Sequence, residues 1–329
     1  MSVPIEGTRF AESSFEPIAV ATRSDVEESL HHGVGVVVGP DGSIVRVIGD
    51  PELLIYPRSA LKPLQTAAMV DAGLDLPHRL LAVVSASHSG EQRHLDAVLE
   101  ILQRHDLTVN DLGNTPGRPY GEVARSAART AGVEPSRLQQ NCSGKHAGML
   151  ATCRVNGWTT DSYLDPDHPL QKTISDSIDR LAARPGGSVA DVGVDGCGAP
   201  THLMPLVDVA RALSVLMRGG GAAVASMAAE PFLVGGTDRD VTSWMEAVPG
   251  LVAKEGADGV MLLGLADGRA AAAKIADGSN LARRAVTVEM LRRLGVDVDG
   301  VMALIRDRVS VPVFGHGAPV GALTALPWG

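Results

Sequence analysis

What most constrains the fold is where β-forming sequence falls along the chain. The run Gly33–Gly39 (GVGVVVG), the turn Pro40-Asp41-Gly42 and the run Ser43–Ile48 predict a hairpin near the start. A second predicted hairpin, Val260–Leu265 and Ala270–Ile275 around Ala266-Asp267-Gly268-Arg269, lies near the end. Between them the apolar spacing is helical. Gln92–His105 puts Leu95, Val98, Leu99 and Leu102 on one face, and Ala60–Val70, Gly144–Val155, Pro169–Ala183, Pro205–Met217 and Ala222–Ala229 read the same way. Leu80–Ser85 reads as a short buried strand or core segment. Helices Ala282–Leu294 and Val301–Val309 and a short strand near Val311–Phe314 close the chain. A doubly wound sheet needs strands and helices in regular alternation, and there is no G-x-G-x-x-G or Walker A sequence. The expected fold is therefore α+β, one antiparallel sheet flanked by helices. No linker, repeat or low-complexity tract divides the chain. The expectation is a single domain over 1–329 with a helical subdomain around 90–230.

The 329 residues, 45% of them hydrophobic, are enough to build a core without a disulfide or metal staple, since a chain this long buries about three quarters of its unfolded surface. A net charge of −9 and 3% aromatic residues argue against a nucleic-acid partner, which would call for a basic face and stacking platforms. The longest apolar runs, Gly259–Ala266 and Leu80–Ala86, fall far short of the roughly 20 residues a membrane span requires. Met1–Pro17 carries Glu6, Glu12 and Glu16 without an apolar run, so no signal peptide is expected. Cys142, Cys153 and Cys197 are few and odd in number, which points to a reducing compartment, the cytoplasm.

Five segments carry chemistry. In Tyr56–Pro63, Ser59 and Lys62 stand three apart, on one face if a helix starts there. The serine hydroxyl could then give its proton to the lysine amine. An ordinary lysine, with pKa near ~10.4, is neutral in only about 0.04% of molecules at pH 7, so a lysine base needs burial or a second cation beside it. The same spacing also fits an N-cap serine next to a solvated lysine. Ser85–Glu91 (SASHSGE) places small hydroxyls after an apolar segment, with Ser87 and Ser89 as cleft residues or as caps of the following helix. Asn141–Gly148 (NCSGKHAG) sets Cys142 and Lys145 three apart at a helix start. Gly193–Thr201 (GVDGCGAPT) reads either as a contact loop or as an ordinary surface turn. Lys254 reads as a lone turn lysine unless it serves as a second base, or as the cation that lowers Lys62. Cys153, mid-helix among Leu150, Ala151 and Val155, reads as core.

Taken together, these segments resemble one family, the bacterial asparaginases of the Rhizobium etli type (asparaginase II). The resemblance runs from about Val26 to the C-terminus. It rests on Arg58-Ser59-Ala60-Leu61-Lys62, on Ala86-Ser87-His88-Ser89, on Asn141–Leu150 and on Asp195–Pro200. It implies a serine β-lactamase/glutaminase-like sheet flanked by helices. It places the nucleophile at Ser59 with Lys62 as its base, and a second serine–lysine tandem at Ser87 and Lys254. It also implies a zinc site at Cys142, Lys145 and Cys197 that positions substrate. His146 and Asp195 are candidate substrate binders. Arg58 is either another or the residue that pins its loop.

The expected activity is hydrolysis of L-asparagine to L-aspartate and ammonia through an acyl-enzyme, with Zn2+ as cofactor, L-asparagine as substrate and a second copy of the chain as partner in a homodimer. The rival readings are a glutaminase, since one methylene changes affinity by only ~1–3 kcal/mol, another serine amidohydrolase of the same fold, and a non-catalytic zinc-binding protein. A penicillin-recognising hydrolase fits less well, because S-D-N and K-T-G are both missing.

Overall fold

The structure is a computed structural model that describes residues 14–328. The part of Met1–Pro17 before residue 14, where a leader was not expected, lies outside the described residues.

The chain opens with three strands, β1 (Glu16–Arg23), β2 (Val26–Val38) and β3 (Ile44–Ile48), and the short β4 (Leu54–Ile55). Helices follow: α1 (Lys62–Asp71), α2 (His78–Val84), α3 (Gln92–Gln103), α4 (Glu122–Thr130), α5 (Ser143–Val155) and α6 (Pro169–Ala182). A small hairpin, β5 (Asp191–Val194) and β6 (Pro200–Pro205), leads into α7 (Leu206–Gly219), α8 (Ala222–Ala229), α9 (Pro231–Val234) and α10 (Asp240–Ala247). The last part comprises β7 (Val252–Gly256), β8 (Val260–Gly264), β9 (Ala270–Ile275), α11 (Asn280–Arg293), α12 (Val298–Val309), β10 (Pro312–Gly315) and β11 (Ala318–Ala325).

The main sheet has the order β10-β11-β1-β2-β9-β8-β7, with β3 also paired to β2, and every pairing is antiparallel. Both predicted hairpins are present, and β2–β9 pairing joins the two ends of the sequence, with Val36 opposite Ala272. The architecture is α+β, an antiparallel sheet flanked by helices. Side chains alternate between the two faces of a strand, yet every residue of β7 and β8 is buried. Both faces of this part of the sheet are therefore covered, and α7 and α11 pack against β8 and β9. One apolar core runs from Ile18 in β1 to Trp328 after β11.

Several elements differ from expectation. Leu80–Ser85 is not a strand. Pro77 opens helix α2, and its apolar run is buried all round among helices, a pattern that period alone does not separate from a core strand. Gly193–Thr201 is not an ordinary surface turn but the tip of the β5–β6 hairpin, with Val194 opposite Pro200 and Gly198 at φ 88°. Lys254 is not in a turn. It is the middle residue of β7, opposite Leu262 of β8. Strand β1 carried no turn signal because Ser24 and Asp25 (φ 47° and 63°) adopt the left-handed conformation usually left to glycine or asparagine. Among the described residues no single helix is long and apolar enough to cross a membrane. The bent pair α7–α8 meets the length and composition, and the residues of both helices are largely buried in the core.

Candidate active site

The site forms where four segments meet at the end of β7. The first is the 3-10 turn Arg58–Leu61, which runs straight into α1 and makes Lys62 the first residue of that helix. The second is the extended segment after α2. Its backbone is buried, so its polar groups must find partners, and they do so in neighbouring elements. His88 N donates to the Asn141 carbonyl, Ser89 N to the Gly235 carbonyl, and Gly121 N to the Ser89 carbonyl. The third is the start of α5, pressed onto α2. A Cβ on Gly144 would lie 2.2 Å from the Val83 carbonyl oxygen, so only glycine permits this approach. The fourth is β7 itself, where a Cβ on Gly256 would lie 2.3 Å from the Pro57 carbonyl oxygen. The first contact sets Cys142 beside the Ser87 segment, and the second sets the Ser59 turn beside Lys254.

Ser87 stands between two lysines. Lys62 Nζ donates to Ser87 Oγ at 3.1 Å, and Lys254 Nζ donates to the same oxygen at 2.9 Å. Both lysines are almost fully buried, at 1% and 0% exposure. Lys62 also donates to the Ala86 carbonyl and to Cys142 Sγ at 3.2 Å, and Lys254 to the Glu255 carbonyl at 2.7 Å. Burial pushes Lys254 down to about 7. The Glu255 carboxylate opposes that shift, and the Lys62 and Arg239 charges add to it. Half of such an amine is neutral near pH 7, in the range useful for proton transfer.

Ser59 is half-buried, and no described residue hydrogen-bonds its hydroxyl. The Ser59–Lys62 bond that the spacing predicted is not formed, because Lys62 reaches across to Ser87 instead. Arg58 adopts φ 54° and is held by two carboxylates, Asp195 Oδ1 at 2.5 Å and Asp258 Oδ2 at 2.6 Å. It thus ties the Ser59 turn to the β5–β6 tip and to the β7–β8 turn, which is the loop-pinning alternative. Asp195 also accepts from Gly196 N at 2.8 Å. Burial works to raise its pKa, but Lys145 and Arg58 hold it below the usual carboxylate range.

Cys142, Lys145 and Cys197 converge beside these groups, all buried, with Lys145 Nζ 3.3 Å from Cys197 Sγ. The neighbouring Cys197 thiol, with the Lys62 and Lys145 charges, draws Cys142 well down despite its burial, while the neighbouring Cys142 and burial push Cys197 up. Burial would lower Lys145, but the charge on the cysteines and Asp195 outweighs it. Among the described residues no three His, Cys, Asp or Glu are placed to hold a metal. This set has two such residues plus an amine, and its donor chemistry fits a thiophilic ion such as zinc. His146 is fully buried, with Nδ1 2.7 Å from the Tyr163 hydroxyl and Nε2 unpartnered. Burial, then the Lys145 and Lys62 charges, keep it neutral.

Two residues of this site escaped the sequence reading. Arg239 donates to the Ser87 carbonyl at 2.9 Å and to Glu255, which flanks Lys254. Arg239 lies in no recognisable motif, and Glu255 lies in the segment Val252–Gly259, which was read for its lysine alone. Only the alternation of a β7 strand, had it been read, would have drawn attention to Glu255. Cys153 is buried core, as expected, and burial raises its thiol to about 12.

No curated protein matches the chain. A solved β-lactamase from Mycobacterium bovis is similar over 84% of this chain and 95% of its own, at 13% identity and a TM-score of 0.40. The profile of the L-asparaginase II family matches residues 19–325, nearly the whole described chain and every segment of the site. The chain therefore belongs to the L-asparaginase II family and is a hydrolase of amide substrates.

Proposed function

We propose that this enzyme is an L-asparaginase of the Rhizobium etli type, working through an acyl-enzyme on Ser59. The observation that carries the reading is the buried chain Lys62–Ser87–Lys254, which begins three residues after a serine whose hydroxyl has no partner among the described residues. Ser59 Oγ attacks the side-chain amide carbon of L-asparagine and its proton passes to Lys62. The C–N bond then breaks, and the Lys62–Ser87–Lys254 chain delivers a proton to the departing ammonia. Water attacks the aspartyl ester, its proton returns to the lysine chain, and L-aspartate leaves with Ser59 restored. Dividing the reaction into two acyl transfers is what an activated nucleophile provides. His146, through its free Nε2, and Asp195 are assigned to the substrate's carboxylate and α-amino groups. Arg58 acts on the loop.

Cys142, Lys145 and Cys197 would hold Zn2+ with a fourth position open, and lysine ligation requires loss of the Lys145 proton. When bound, the ion supplies a fixed Lewis-acidic anchor for substrate. Three free cysteines support a cytoplasmic setting. A homodimer is the proposed assembly.

Ser59→Ala tests the nucleophile. The variant should lose at least about a thousandfold in ammonia release from L-asparagine and form no aspartyl adduct by intact-mass analysis. A second reading makes Ser87 the nucleophile, favoured by its two lysine partners. Loss of the adduct in Ser87→Ala with its retention in Ser59→Ala would select it.

A further inference from the structure

Arg239 is the last residue before α10 and lies outside every motif that marks the family resemblance. Its guanidinium is 12% exposed and sits 4.5 Å over the Tyr120 ring. One arm donates to the Ser87 carbonyl at 2.9 Å, and the other to Glu255 Oε1. Lys254 Nζ stands 3.5 Å from that same carboxylate oxygen, beyond normal hydrogen-bond length. Its hydrogen bonds go instead to the Glu255 carbonyl and to Ser87 Oγ. Lys254 and Glu255 form an ion pair that stops short of a hydrogen bond. Here an arginine already occupies the carboxylate, and Glu255 Oε2 is left without a partner.

We propose that Arg239 is a positioning residue: it holds the Ser87 backbone and draws Glu255 away from Lys254, so that the lysine is directed at Ser87. The inference rests on Ser87 and Lys254 belonging to the catalytic chain. The charged and titratable groups facing Lys254 are Glu255 on its own strand, Lys62 at the start of α1, Arg239 before α10 and Cys142 before α5. Glu255 in turn faces Lys254, Arg239, Arg283 of α11 and Asp240 of α10, the last two paired to each other at 2.8 Å. Removing Arg239 has two effects of one sign. A cation is lost from beside Lys254, and Glu255 becomes free to close onto it. Both favour the protonated lysine.

The test is the pH profile of ammonia release from L-asparagine by the full-length protein. In Arg239→Met the rising limb should move to higher pH by about one unit or more, the usual effect of one nearby charge. In Arg239→Lys, which keeps the charge, it should return toward the wild-type position. Glu255→Gln should move the limb the other way, and this variant carries the test if Arg239→Met does not fold. A residue that merely supported the fold would lower activity without moving the limb. Wild-type limbs in Arg239→Met and Glu255→Gln, alongside an inactive Lys254→Met, would overturn the role of Arg239 alone. An active Lys254→Met with an unaltered profile would instead overturn the Ser87–Lys254 reading, and this inference with it.

Discussion

Burying Lys254 has a cost that unfolding experiments can read. In the folded protein its amine titrates near 7, against an ordinary value of 10.5. Between those two values the unfolded chain binds a proton that the folded chain does not, so stability rises with pH across the window and falls as pH drops toward 7. At 1.36 kcal/mol per unit, linkage over the span from pH 9 to pH 6 makes the wild-type protein about 3 kcal/mol less stable at the lower pH through this one group. Lys254→Met keeps the length of the stem and removes the titration. Its stability relative to wild type should therefore improve by about 3 kcal/mol on going from pH 9 to pH 6. The loss of the Ser87 and Glu255 hydrogen bonds applies at both pH values and largely cancels from that difference. Urea unfolding of both proteins at the two pH values gives the number. If the difference between variant and wild type is the same at pH 6 and pH 9, Lys254 is not a buried low-pKa amine and cannot act as the second base at neutral pH.

Two further outcomes follow from the geometry. Purified protein should carry about one zinc per chain, by the ligand count of three protein groups and one open position. Cys142→Ala or Cys197→Ala should lower the metal content by elemental analysis and raise KM more than they lower kcat, and full zinc in both variants would refute the ligand set. Gly256→Ala places a methyl group 2.3 Å from the Pro57 carbonyl oxygen. It should push the Ser59 turn off β7 and cut kcat by more than tenfold, a displacement near 1 Å at a reacting group being enough for that. Wild-type kcat in this variant would show that the close approach is dispensable.

Much of the site was legible in short-range spacing, and the parts that were not share a cause. Cys142 and Lys145 lie within one helical turn, so their convergence could be read from numbering alone. Ser59 and Lys62 share that spacing, yet the partner of Lys62 turned out to be Ser87, on a different segment. The ammonium sits at the end of a four-carbon stem, and its direction is set by the carbonyl, hydroxyl and thiol that surround it. Lys254 looked like a solvated charge because strand β7 holds only five residues, too few to show a period.

Local sequence by itself determined the two hairpins, most of the helices and, through them, the α+β class, because turn chemistry and apolar period act over a few residues. The motifs built around Ser59, Ser87, Cys142 and Cys197 likewise carried the family in their residue order. Tertiary structure alone decided that Ser87 lies between two lysines, that Arg58 is committed to Asp195 and Asp258, and that Arg239 binds the Glu255 carboxylate. These contacts join residues 16 to 200 positions apart. Side-chain partners at such separations are chosen by how the core closes, through β2–β9 pairing and the approach of Gly144 and Gly256 to neighbouring backbone. The protonation of Lys254 follows from burial, which exists only once that core has formed.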